Sequence, residues 1–293
     1  MSTTNRCFFT RNATTLFLLV FLSAQLVVAE DSALEGQLKA EYANKILTLR
    51  HFYTGDHLTF HSDGSLQGDA AIGPWTVAGQ IAVQEIRVRD KRLIIQGRRV
   101  YRIFDSQQKP QDELNTIDNY QGAVRAELEK NLLGLNVEID VELPGKRSDR
   151  ASITSAMRSV FLADGESMMG VVPEYWQAYF AKLEGRPAIV SHSVEPLYVF
   201  RPGNQMIPPK PISNPEPEFS PEASKMKYEG TELVKLVIDE RGATRDLQVN
   251  RPLGLGLDEM AIAAIRTWTF EPARKDGQPV AVSVVVEVTF RLY

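Results

Sequence analysis

The sequence predicts an α+β protein in two parts: a separate mixed α+β domain, then a smaller domain in which a helix packs on a short antiparallel sheet. Three observations predict this. Between Leu47 and Phe104 apolar and polar residues alternate in short runs broken by glycine turns, the pattern of strands and hairpins. Helical spacing returns after them, so strands precede helices instead of alternating with them. From Leu257 to Trp268, the residues Leu257, Met260, Ala261, Ala264, Ile265 and Trp268 fall on one helical stripe, and a long alternating strand follows.

At 293 residues the chain has room for two modest cores. Its 43% hydrophobic and 24% charged content is that of a globular protein, neither disordered nor membrane-filling. With a net charge of −4 and no basic stripe interleaved with aromatics, nucleic acid is not an expected partner. Arg6 and Arg11 precede the apolar run Leu16 to Ala29, with Val27 and Ala29 at the small-residue positions of a cleavage site before Glu30. That is the layout of a signal peptide over residues 1–29, which directs the chain to the periplasm. The run is shorter than the ~20 apolar residues of a spanning helix, and a short inner-membrane anchor is the alternative. Cys7, the sole cysteine, lies ahead of the run, so a chain cleaved at Glu30 has no thiol for a disulfide, a metal or nucleophilic catalysis.

Residues 30–200 form the first predicted domain. Ser32 to Arg50 reads as a helix with Leu34, Leu38, Tyr42 and Ile46 on its apolar stripe. Hairpins follow at Gly55, Gly64 and Gly73, and Trp75 is expected to anchor a core beside the last turn. Gln111 to Leu133 is helical in pattern, and Leu135 to Leu143 alternates strictly. Helices are expected from Ser148 to Leu162 and from Pro173 to Leu183, the second carrying Trp176, Tyr179 and Phe180 into the core. The sequence assigns these residues no role.

Residues 201–219 are rich in proline and lack an apolar period, so a stiff extended linker is expected, reaching at most ~60 Å. The second domain, residues 220–293, begins with a short helix capped by Ser220 with Pro221 at its first position. Strands are expected at Thr231 to Asp239 and Thr244 to Asn250, joined through Gly242. A glycine-rich loop leads to the Leu257 helix, where Asp258 and Glu259 in the first turn suit the helix dipole. Pro272 prevents its continuation, and Asp276-Gly277 turns the chain into the last strand.

Pro217, Ala223, Gly230, the run LVKLVID, Gly242, Leu257-Asp258, Ala261, Ala264, Trp268, Phe270, Pro272-Ala273, Gly277 and Pro279-Val280 occur in the order and spacing of the TonB C-terminal domain. The chain resembles that family from about Pro215 to Tyr293, and the aromatic exit WxFxPA followed by GxPV is its most specific part. The resemblance implies a sheet of about three strands with the Leu257 helix across one face. It implies no enzymatic activity and no cofactor. Its partners are outer-membrane TonB-dependent transporters, gripped by β-strand addition to the last strand in support of energy-dependent transport. Motor proteins of the ExbB–ExbD type and a second copy of the chain are further candidate partners. Two features depart from the family: no histidine precedes His51, and a folded domain stands where the long proline-rich spacer would be. Phe219-Ser220-Pro221 also replaces the expected Tyr-Pro.

The last strand supports strand addition on its own pattern. Val280, Val282, Val284, Val286, Val288, Phe290 and Leu292 line one face, and residues 280–292 would extend about 44 Å, beyond the reach of the two shorter strands before it. Its unpaired backbone is a template for an incoming peptide. The expected partner-binding residues are Phe219, Val282, Val284, Val285, Val286, Glu287, Val288, Thr289 and Phe290. A secreted periplasmic ligand-binding protein that dimerises through the same domain is the alternative function. His51, His57 and His61 match no zinc spacing, and Asp63, Ser65 and Asp69 meet Pro74 where a calcium loop needs glutamate, so no metal site is expected.

Overall fold

The computed structural model describes residues 33–112, 135–145, 149–187, 198–199 and 206–292. The leader, the helical pattern from Gln111 to Leu133 and the start of the proline-rich segment lie outside these residues, apart from Gln111 and Asp112. The described chain is α+β.

Helix α1 (residues 33–42) ends in a left-handed Asn44 (φ 63°), and the next apolar run is a strand, β1 (Ile46–Thr48). The expected helix to Arg50 is therefore shorter. Next come β2 (His57–Phe60), β3 (Leu66–Gln67), the single turn α2 (Trp75–Ala78), β4 (Gln80–Arg89), β5 (Arg92–Arg99), β6 (Arg102–Phe104), β7 (Pro110–Asp112) and β8 (Asn136–Glu142). Six of these strands form one sheet in the order β1-β4-β5-β8-β2-β3, antiparallel except for β2 beside β8. Its inner face carries Leu58, Phe60, Ile81, Val83, Leu93, Ile95, Val137, Ile139 and Val141, all buried as strand alternation requires.

Helix α3 (Arg150–Val160) starts in a capping box. The Asp149 carboxylate accepts from the Ser152 N–H, and the Ser152 hydroxyl oxygen accepts from the Asp149 N–H. It buries Ile153, Ala156, Met157 and Val160. Helix α4 (Glu174–Leu183) puts Trp176, Tyr179 and Phe180 into an aromatic cluster with Trp75 and Phe104. Trp75 meets Phe180 edge-on at 5.1 Å, while Phe104 stacks on Trp176 at 5.9 Å.

The proline-rich segment does not simply span a gap. After the two-residue β9 (Tyr198–Val199) it supplies β10 (Met206–Ile207) and β11 (Lys210–Ser213). These pair with strands near the C-terminus. Proline is tolerated there because short edge strands need few N–H donors.

Helix α5 (Pro221–Met226) is capped by Ser220, whose hydroxyl oxygen accepts from Ala223 N–H, as the sequence predicts. Then follow β12 (Gly230–Ile238), β13 (Thr244–Arg251), α6 (Leu257–Ile265), β14 (Thr269–Glu271), β15 (Ala273–Lys275), β16 (Gln278–Val280) and β17 (Val282–Phe290). The sheet β13-β12-β17 is antiparallel, and β9 joins the far side of β17 in parallel. Leu257, Ala261, Ile262 and Ile265 of α6 are buried, as are Val234, Leu236 and Ile238 of β12.

Most of the buried apolar residues of both parts belong to one cluster. The Gly254-to-Gly256 loop makes the polar joint: Leu255 N–H donates to Arg102 O (2.9 Å), and Gly256 N–H to the Thr76 hydroxyl (3.0 Å). No helix among the described residues is long and apolar enough to cross a membrane.

Candidate functional site

The two sides of β17 differ. On one side β12 pairs with all nine of its residues, from Gly230 opposite Phe290 to Ile238 opposite Val282. The single strand through residue 292 expected from the sequence, outreaching its neighbours, does not form. The turn at Asp276 and Gly277, both at positive φ, folds Gln278 to Val280 back on β15. Ala281, itself buried, then separates β16 from β17.

On the other side β9 pairs only with Val282 and Ser283. From Val284 to Phe290 no strand among the described residues pairs with that edge. The opposite end of the sheet has different company, because α4 lies against β13. The open backbone of β17 is thus the exposed template of this sheet.

The side chains alternate across β17. Val282, Val288 and Phe290 are buried on the α6 side, and Val284 and Val286 are half-buried there. Val285, Glu287 and Thr289 are exposed on the other face, Val285 at 52%. The Thr289 hydroxyl lies 3.0 Å from that of Thr231 across the strand pair. Phe219 meets Phe290 edge-on at 5.4 Å. Beside them a cavity of about 280 Å³ is lined by Glu216, Pro217, Phe219, Thr289, Phe290 and Arg291. Of the residues named from sequence, Phe219, Thr289 and Phe290 are brought together, whereas the backbone at Val282 is already engaged by β9.

The frame that holds β17 contains carboxylates whose depth the sequence reading missed. Asp258, fully buried, accepts from Leu253 N–H (2.8 Å) and Gly254 N–H (2.7 Å), which shapes the loop before α6. Burial raises its pKa, opposed by the neighbouring Glu232 carboxyl and by these backbone donors. Glu232 on β12 is equally buried, and burial with the adjacent Asp258 charge raises its pKa well above the usual range. Neither Glu232 oxygen has a hydrogen-bond partner among the described residues, so the site favours the neutral carboxyl. Glu259 accepts from the Trp176 indole N–H at 2.8 Å, and burial followed by the Asp258 charge raises its pKa to about 8. A signal was available for Glu232, which alternation places on the same face as Val234, Leu236 and Ile238.

The histidines form no cluster with three ligands. His57 lies 3.3 Å from Glu138 and His61 3.5 Å from Glu142, two separate pairs on the open face of the first sheet. Among the described residues no group of three or more His, Cys, Asp or Glu could hold a metal. The Asp63 carboxylate accepts from the Ser65 N–H and hydroxyl within its own turn.

Residues 215–292 match the family profile described as the Gram-negative bacterial TonB protein C-terminal. The last quarter of the chain is a TonB-type C-terminal domain. A stretch of 82 residues is 30% identical to protein TonB2 of Pseudomonas aeruginosa, covering 28% of this chain and 30% of that protein. The chain thus spans under a third of the length of this curated relative. The solution NMR structure of the Pseudomonas aeruginosa TonB C-terminal domain is 25% identical, covering 29% of this chain and 86% of that one, with a TM-score of 0.25. The matched TonB-type residues include Phe219 and all of β17. The strands β9, β10 and β11 come from before the matched residues and pair with strands inside them.

Proposed function

We propose that this protein is a TonB-like periplasmic adaptor, exported by residues 1–29, that receives a strand of an outer-membrane transporter along β17 and supports energy-dependent uptake. The observation that carries the reading is the open edge from Val284 to Phe290, in a sheet whose other strands are paired or lie against a helix. Phe219 and the run from Val282 to Phe290 form the partner surface. The incoming backbone supplies the missing hydrogen bonds, and alternate side chains meet the half-buried Val284 and Val286. The aromatic cavity at Phe219 and Phe290 takes the end of the added strand. Residues 30–200 brace the domain through the loop before α6, and coupling to an ExbB–ExbD-type motor completes the adaptor role.

Titration of isotope-labelled protein with a synthetic TonB-box peptide, the N-terminal segment that such transporters present to TonB-type domains, tests this. Amide resonances from Val284 to Phe290 shift on binding, and crosslinking from β17 in envelope fractions recovers a transporter. Unshifted resonances at millimolar peptide would exclude strand addition.

A further inference from the structure

The outward face of β17 carries Val285, Glu287 and Thr289, and Arg291 stands at the next alternate position. On that face the rows across the sheet are already set. Gln248, Lys235 and Val285 form one row; Arg251, Leu233 and Glu287 form the next; Thr231 and Thr289 form a third. An added strand contributes one further residue to each row. Directly opposed side chains on neighbouring strands are close enough for charge and shape to matter.

Glu287 faces the uncharged Leu233 on β12, and no ion pair among the described residues engages Glu287 or Arg291. Lys235, diagonal to Glu287, stands opposite Val285. Glu287 and Arg291 are about 13 Å apart along an extended chain, too far to neutralise each other. That spacing matches two residues four positions apart on a partner strand.

We infer that Glu287 and Arg291 select a strand with a basic residue opposite the first and an acidic residue opposite the second, and so fix its register. This rests on the strand-addition reading above. At the alternate positions the partner carries β-branched or apolar residues, which lie beside Val286, Val288 and Phe290 on the α6 side. A slip of one residue turns the partner's charges toward that apolar side and leaves Glu287 without its cation. The partner is an extended segment of defined charge order, not any strand.

The test uses two seven-residue peptides with valine at even positions. In the first, the odd positions read Val, Lys, Thr, Glu; in the second, Lys and Glu are exchanged. Reversed-order versions of both cover the antiparallel direction. The full chain is expected to bind one charge order about 2- to 30-fold more tightly, a span set by two cross-strand pairs. The double variant Glu287→Lys/Arg291→Glu, changed only at exposed side chains, is expected to invert that preference. Equal binding of all peptides to both proteins, with shifts at β17, would overturn the charge code and leave strand addition standing. If no peptide, including the TonB-box peptide, shifts β17, both ideas fail together.

Discussion

Trp176 donates its indole N–H to Glu259 Oε1 at 2.8 Å, although 83 positions separate them. The bond ties α4 to the first turn of α6, while Glu259 Oε2 is buried with no hydrogen-bond partner. Glu259 as a whole is only half-buried, but its carboxyl is enclosed, and burial plus the Asp258 charge raises its pKa to about 8. The unfolded chain releases this proton near 4.5, the folded chain not until about 8. Across that window the folded state holds more protons, so stability falls as pH rises and levels off above about 8. The slope is at most about 1.4 kcal/mol per pH unit for each such group. Urea midpoints at pH 5 and pH 8 measure it. Glu259→Gln keeps the acceptor for Trp176 and is expected to flatten the decline; an unchanged slope would mean that Glu259 does not carry it.

Gly254 links the two parts with its backbone. It has φ +90°, and a Cβ there would lie 2.1 Å from Arg102 O and 2.9 Å from Ile103 Cα. Gly254→Ala is therefore expected to cost about 2–4 kcal/mol, because backbone rather than a flexible side chain must move. Gly277 provides the comparison: its φ is +80° but nothing lies within 4 Å of an added Cβ. Gly277→Ala is expected to cost only the backbone strain, about 1–2 kcal/mol. Equal thermal shifts for the two variants would show that the contact between Gly254 and Arg102 is not a tight joint.

Arg99 is 6% exposed and has carbonyl groups as its hydrogen-bond acceptors. Its Nη1 donates to Ala78 O at 2.5 Å, and Nη2 to Tyr53 O at 2.8 Å and Gly55 O at 3.0 Å. Burial lowers its pKa to about 10, so it stays a cation at neutral pH. The planar fork reaches the α2 turn and the loop before β2 together, which a single ammonium does not. Arg99→Lys is expected to lose about 2–4 kcal/mol through unpaired buried carbonyls. A loss below about 0.5 kcal/mol in denaturant unfolding would mean that water replaces the fork.

The Leu257 helix, the short helix capped by Ser220 and the aromatic exit through Trp268 were legible because they are local: period, cap and breaker lie within a few residues. The α+β class was legible for the same reason. What pairs with what was not. Met206–Ile207 and Lys210–Ser213 lie in a proline-rich stretch with no apolar period, yet they find partners about 60 residues onward in β15 and β14. The short run at Ile46 fits a helix or a strand equally well, and the left-handed Asn44 decides it. At the candidate site the alternation of β17 was readable, but its break at Ala281 and the strand beside Val282 depend on distant chain.

That strand gives the last prediction. Tyr198 and Val199 pair in parallel with Val282 and Ser283, at the start of the edge proposed to receive a partner. They already pair with the first two positions of this edge and would compete there with a longer partner. Being part of the same chain, β9 has the high effective concentration of a tethered ligand. A partner that pairs only from Val284 onward leaves it in place, whereas a longer one displaces it. Replacing both residues with proline removes their N–H donors and disfavours the ladder. Tyr198→Pro/Val199→Pro is expected to raise hydrogen exchange about tenfold at the one of the Val282 and Ser283 amides that faces β9, the loss of roughly one net hydrogen bond; the other amide faces β12. It is also expected to strengthen binding of a peptide long enough to reach Val282, with little effect on one that stops at Val284. Unchanged exchange at both amides would mean that β9 contributes nothing to closing this end of the edge.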